Sequence, residues 1–202
     1  MSPSTFRRLL GAAERDSRLP PGQYDAGSTF PVLTAEVSPR LEAKDWSLRI
    51  DGLVEKARTW TWDEIHQVPR SSYEGDIHCV TTWSKLGTSF SGVSVDVLLE
   101  AVTPLPTAQY VLATSTTGYT TNLPLSHITG GQAWIVWTHE GRPLPREHGG
   151  PVRLLVPHLY FWKSAKWVTK LTLLEHDQQG FWERNGYHDL GDPWREQRYQ
   201  GD

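Results

Sequence analysis

The chain of 202 residues has one cysteine, Cys79. A lone thiol closes no internal disulfide, and such a chain suits a reducing compartment. It also excludes zinc or iron–sulfur sites built from several cysteines. Long apolar runs are missing: no stretch approaches the roughly 18 residues that suggest a membrane span. No charge of one sign dominates, since 20 Lys and Arg against 23 Asp and Glu leave a formal net charge of -3. That field is too weak to imply nucleic acid or an anionic membrane as a partner. The familiar catalytic signatures are missing as well. There is no G-x-S-x-G or S-x-x-K for a serine hydrolase. Neither G-x-G-x-x-G nor a P-loop occurs, and the eight His include no H-E-x-x-H.

What is present suits one soluble domain, with 38% hydrophobic and 21% charged residues. Ten Trp, seven Tyr and five Phe are many for this length. Aromatics this dense either fill a core or wall a ligand pocket. Residues 1–28 are polar, contain Pro20-Pro21-Gly22, and read as an extended arm. Within them Phe6-Arg7-Arg8-Leu9-Leu10 begins like a twin-arginine signal. Glu14, Arg15 and Asp16 follow at once and leave no apolar region, so a cytoplasmic protein is expected.

Residues 29–175 read as the domain proper. Trp46–Ile50 alternates with period two and predicts a strand that turns near Asp51-Gly52. Thr61-Trp62-Asp63-Glu64 is a capping-box pattern that starts a short helix. Residues 72–80 are extended and place Cys79 near a strand end. Ser94 caps a helix over Val95–Val102, stopped by Pro104. Tyr110–Ser115, Thr120–Leu123, Ala133–Thr138, Val152–Val156 and Trp167–Leu174 are further strands, with a turn at Glu140-Gly141-Arg142. Many strands and few short helices predict an α+β, mainly β domain. The polar, aromatic tail 176–202 is expected to wrap its surface.

On its own residues Cys79 has four readings: buried filler, accident, nucleophile or metal ligand. His78 is a poor base for it, because neighbours on a strand face opposite ways. A second stretch carries more chemistry. Gly149-Gly150-Pro151-Val152-Arg153 precedes Tyr160-Phe161-Trp162-Lys163-Ser164-Ala165-Lys166-Trp167. Paired glycines let backbone approach a ligand, and Arg153 offers a planar fork for phosphate. Lys163, Ser164 and Lys166 add donors among aromatic rings. A phosphorylated aromatic cofactor needs such a set, and a solvated basic turn would also have it.

Three segments in order, Cys79-Val80-x-x-Trp83-Ser84, Gly150-Pro151-Val152-Arg153-Leu154-x-Val156-Pro157 and Tyr160-x-x-Lys163-x-x-Lys166, resemble the molybdopterin-binding domain of the sulfite oxidase family. The tail Gly180-Phe181-Trp182-Glu183-Arg184 through Trp194 is similar to the small bacterial members. The domain also resembles the catalytic subunit of the periplasmic methionine-sulfoxide reductase. The resemblance implies a mixed, curved sheet core, a single molybdopterin and two-electron oxygen-atom transfer. It makes Cys79 the molybdenum ligand, and a soft thiolate suits a transition metal. It assigns Arg153 and Lys166 to the pterin phosphate, with the Ser164-Ala165 backbone. It puts His148 and Ser115 at cofactor-contacting positions, and the backbone of Leu33 and Thr34 in the segment that closes over the cofactor. Trp83 is expected at the pocket mouth.

Sulfite oxidases proper carry arginines after the cysteine, whereas here Thr81-Thr82-Trp83-Ser84-Lys85 offers only Lys85. A neutral S-oxide or N-oxide is therefore the expected substrate. The resemblance further implies a separate electron-transfer protein as partner. Two other readings stand beside it: a non-catalytic domain of the same fold that binds a ligand or partner, and a cysteine hydrolase or transferase.

Overall fold

The computed structural model describes residues 17–202. The twin-arginine-like run and the expectation drawn from it lie outside them. Eleven strands and three short helices follow in chain order among the described residues. They are β1 (Tyr24–Asp25), β2 (Ser47–Gly52), β3 (Arg58–Thr61), α1 (Trp62–Ile65), β4 (Ser71–His78), β5 (Trp83–Ser94) and α2 (Val95–Glu100). Then come β6 (Tyr110–Ser115), β7 (Thr120–Pro124), β8 (Trp134–His139), β9 (Arg142–Pro143), β10 (Arg153–Leu155), β11 (Val168–Leu174) and α3 (Phe181–Arg184).

They build two mixed sheets. One runs β1-β5-β8-β10, with β4 added on β5 and β9 on β8, and the other runs β3-β2-β11-β6-β7. β1 joins β5 in parallel, as β2 joins β11, and the remaining pairs are antiparallel. The expected mainly β, α+β class is what the structure shows.

The local signals act as physics requires. In α1 the Thr61 hydroxyl accepts from the Glu64 N–H at 3.3 Å, and the Glu64 carboxylate accepts from the Thr61 N–H at 2.8 Å. Ser94 likewise caps α2 through the Asp96 N–H. The alternation of Leu48 and Ile50, and of Val111 and Ala113, turns one face of the second sheet inward, where these side chains are buried with Trp46, Trp60, Leu171 and Leu173. Burying each such aliphatic side chain contributes roughly 1.5–3 kcal/mol. The Trp46 indole N–H, which would otherwise be orphaned, donates to the Val168 carbonyl at 2.8 Å.

β5 is the longest strand, and the sequence reading passed over it. Thr88 and Phe90 alternate there with Ser89 and Ser91, but Gly87 and Gly92 interrupt the run, and pairing with β4 and then β8 fixes it. The tail also enters the core. Glu183 of α3 is fully buried and meets the Lys163 ammonium at 2.6 Å. It accepts as well from the Trp162 indole at 2.9 Å and the Thr121 hydroxyl at 3.1 Å. Among the described residues no helix is long and apolar enough to cross a membrane.

Candidate active site

β4 ends at His78, and the chain reverses over Cys79–Trp83 into β5. The reversal is a tight turn: Cys79 N–H donates to the Trp83 carbonyl at 2.8 Å and Thr82 N–H to the Cys79 carbonyl at 3.0 Å. Thr82 takes a left-handed φ of 77° to close it. Both ends of the described chain brace this loop. The Gln23 amide donates to the Cys79 carbonyl at 3.1 Å, and Arg198 donates to the Val80 carbonyl at 2.9 Å.

The turn presents Cys79 to a cavity of about 310 Å³. Its walls come from the segment 30–36, the Cys79 loop, the turn holding His148, the start of β10, the 161–166 loop and the tail. Cys79 Sγ lies 3.2 Å from the Thr81 hydroxyl, and among the described residues no His is hydrogen-bonded to it. Burial pushes its thiol up, while the Thr81 hydroxyl and the Lys166 charge pull the other way. His78 turns aside to bond the Ser84 hydroxyl at 2.8 Å, as strand alternation predicts.

Arg153 forms the cavity floor and is 1% exposed. Its guanidinium donates to the carbonyls of His148 at 2.8 Å and Ser164 at 2.7 Å, and lies 3.9 Å over the Phe161 ring. Among the described residues no carboxylate pairs with it. Burial pulls its pKa down to about 9. A buried charge without a counterion is costly, so a cavity floored by one favours an anionic guest. Lys166 stands beside it, donating to the Leu33 carbonyl at 2.8 Å and the Glu147 carbonyl at 2.6 Å. Burial, then Arg153, lower Lys166 to about 8. His148 stacks on Phe30, with centroids 3.8 Å apart and planes 8° apart. Burial and the two cations lower His148 to about 4, so it is neutral near pH 7.

The cavity gathers Leu33, Thr34, Cys79, Trp83, His148, Arg153, Ser164, Ala165 and Lys166 from distant parts of the sequence. Ser115 is outside its wall and donates instead to the Lys166 carbonyl, one layer behind. Two sequence inferences are corrected. Lys163, grouped with Lys166 as a ligand donor, points away and is spent on Glu183 and the carbonyls of Asn122 and Asp189. The Gly149-Gly150 pair serves packing. A Cβ on Gly150 would come 2.1 Å from the Leu144 carbonyl, and one on Gly149, at φ 106°, would press on Arg153 and Lys166.

Sequence reasoning missed Glu36, Tyr119, Trp182 and Tyr187 in the wall. The tail aromatics carried a signal in their density. Glu36 and Tyr119 carried none. Thr81 bonds the thiol through its side chain and was noticed only as a replacement for arginine.

Residues 35–182 match the model of the oxidoreductase molybdopterin-binding domain. The chain belongs to that family. It is 39% identical over 191 residues to the oxidoreductase YuiH of Bacillus subtilis, covering 94% of this chain and 96% of that one. It is 26% identical over 171 residues to the protein-methionine-sulfoxide reductase catalytic subunit MsrP of Pseudomonas syringae pv. tomato. That match covers 75% of this chain and 50% of the relative. Among solved structures, the sulfane dehydrogenase SoxCD of Paracoccus pantotrophus shares the fold, with a TM-score of 0.65 at 21% identity. The superposition covers 74% of this chain and 42% of that one.

The chain is thus a molybdopterin-dependent oxidoreductase domain, and its donor set suits the group. Among the described residues no cluster of three or more His, Cys, Asp or Glu could hold a metal by itself. One thiol, that of Cys79, lines the cavity. The unpaired Arg153 and neighbouring Lys166 provide the positive end that a phosphate requires.

Proposed function

We propose that Cys79 ligates molybdenum of a single molybdopterin and that the enzyme reduces a small neutral S-oxide or N-oxide. The observation that carries this is the placement of Arg153, buried and without a carboxylate, on the floor of the cavity that Cys79 lines. When bound, the molybdenum–pterin group supplies two-electron oxygen-atom transfer. The reaction balances as sulfoxide plus two electrons and two protons, giving sulfide and water.

The chain's own residues do the rest. Arg153 and Lys166 hold the phosphate by charge-assisted hydrogen bonds, with the Ser164-Ala165 backbone beside them. The backbone of Leu33 and Thr34 and the Phe30–His148 stack cover the group and exclude water. The Thr81 hydroxyl donates to the Cys79 sulfur and stabilises the thiolate. The Trp83 indole N–H has no acceptor in this wall and is assigned to the substrate's oxygen. Substrate neutrality follows from the charges. Both wall cations serve the phosphate, and His148 is neutral. Lys85 is absent from the wall and reaches the Gly27 carbonyl at 3.4 Å. A separate electron-transfer protein is proposed as the source of the electrons.

The test is elemental and pterin analysis of protein made in a host with active molybdopterin synthesis, followed by turnover of a dialkyl sulfoxide with a reduced viologen dye. One molybdenum and one pterin per chain are expected. Cys79→Ser should abolish turnover while shifting stability by less than about 1 kcal/mol, as for a near-isosteric swap. Folded protein that never acquires molybdenum would overturn the proposal.

A further inference from the structure

The two ends of the cofactor cavity differ in chemistry. At one end Cys79 packs with Trp83 and Phe161 in a small apolar cluster. At the other, Tyr119 and Trp182 belong to the main core. The wall cations act on both ends: Arg153 on Cys79 and Tyr119, Lys166 on Cys79 and Glu36. The Tyr119 end is walled by rings. Tyr187 lies 4.8 Å from Trp182 and 5.2 Å from Trp162, centroid to centroid, and the Tyr119 hydroxyl donates to the Trp162 carbonyl at 2.8 Å.

Glu36 brings the single carboxylate of the cavity wall to this end, where the Tyr119 backbone N–H donates to it. Its main chain is pinned by Thr34, whose hydroxyl accepts from the Glu36 N–H at 3.1 Å and donates to the Glu36 carbonyl at 3.0 Å. Its Oε1 is buried and has no donor among the described residues. Lys166 pulls on the carboxylate electrostatically but forms no ion pair with it. A buried carboxylate oxygen without a donor is costly. A flat guest with N–H groups along one edge supplies what is missing.

We propose that Glu36 is the specificity residue for the pterin heterocycle: its carboxylate accepts from the amino group and the adjoining ring N–H of the aminopyrimidinone edge. This rests on the molybdopterin reading and adds to it a determinant for the ring. Two parallel N–H donors on that edge suit a carboxylate, which takes both as charge-assisted bonds. The rings of Tyr119, Trp182 and Tyr187 offer flat apolar walls beside it. The layout of the cavity agrees. A molybdopterin has its sulfurs at one end, its aminopyrimidinone at the other and its phosphate on a side arm between, and thiol, carboxylate and cations are arranged here in the same way.

The experiment titrates two free bicyclic probes, pterin and lumazine, into the cofactor-free full-length chain, followed by ligand fluorescence and ligand-observed NMR. Lumazine has an oxygen where pterin has its amino group, so it turns an acceptor toward Glu36. Pterin should bind saturably and at least about tenfold more tightly than lumazine, the scale of lost hydrogen bonds to a charged group. Glu36→Gln should bring that ratio to one or below, because an amide has a donor for the lumazine oxygen and an acceptor for its N–H. Glu36→Asp should weaken pterin and keep the preference. Glu36 lies in a segment without regular structure, so both variants should keep the wild-type melting profile. Cofactor-loaded protein should bind neither probe. The proposal is overturned if pterin shows no saturable binding, if lumazine binds as well, if Glu36→Gln keeps the preference, or if loaded protein binds the probes as the cofactor-free chain does. The molybdenum and pterin content of wild-type protein separates the two readings. A chain that loads both but shows no discrimination loses only the Glu36 assignment, whereas a folded chain that loads neither loses the proposed function.

Discussion

Arg153 and Lys163 sit ten positions apart, and the protein buries both cations in opposite ways. Lys163 is neutralised from within: Glu183 meets it at 2.6 Å, and both side chains are fully buried. Among the described residues Arg153 receives only carbonyl oxygens and a ring face. One charge is balanced by the protein and joins the tail to the core. The other is, in the proposed reading, left for the cofactor's phosphate. Whether a buried cation is structural or functional is thus decided by its counterion, and neither burial nor local sequence distinguishes the two.

The comparison can be broken first at Glu183. Glu183→Ala strands Lys163 as an unpaired buried charge and should cost about 3–5 kcal/mol, read by denaturant unfolding of the cofactor-free protein. A loss under about 1 kcal/mol, the range of an exposed pair, would mean that the tail does not lock the core.

Arg153→Leu should behave differently. It removes an uncompensated charge but leaves the His148 and Ser164 carbonyls short of a donor. These effects oppose each other, so the net stability change should stay within about 2 kcal/mol. Cofactor retention should fall roughly 10- to 150-fold, the equivalent of 1.5–3 kcal/mol for lost charged hydrogen bonds. Pterin released per chain on dilution measures it.

The smallest effect concerns pH and Lys166, whose folded pKa is lowered from its ordinary 10.5 to about 8. Between pH 8 and 10.5 the unfolded chain holds more protons at this lysine than the folded one. Its contribution to the stability of the cofactor-free fold therefore rises with pH across that window. The ammonium that binds phosphate is lost over the same window, so cofactor affinity should fall as pH passes about 8. Lys166→Gln should flatten both trends, as followed by melting curves and pterin retention.

Much of this was legible in the chain. Thr61 and Glu64 announce α1 because capping is a local interaction, and Cys79, Arg153 and Lys166 stand out through residue type and order. Less was legible where the determinant is non-local. β5 becomes a strand through its neighbours. Lys163 looks like Lys166 until Glu183 arrives from the tail. Glu36 and Tyr119 join the wall by topology alone. Of the nine expected residues that share the cavity wall, Leu33, Thr34, Trp83, His148 and Ala165 were named through family order alone, since no periodicity links Leu33 to Lys166.

The bracing of the Cys79 loop has a consequence for long-range sensitivity. Arg198 reaches the Val80 carbonyl, and its other arm lies 3.3 Å from the Pro21 carbonyl. One guanidinium thus staples three remote stretches of chain at a single point, 118 positions from Val80. A substitution at Arg198 would be felt at the thiol although no atom of that side chain is bonded to the sulfur.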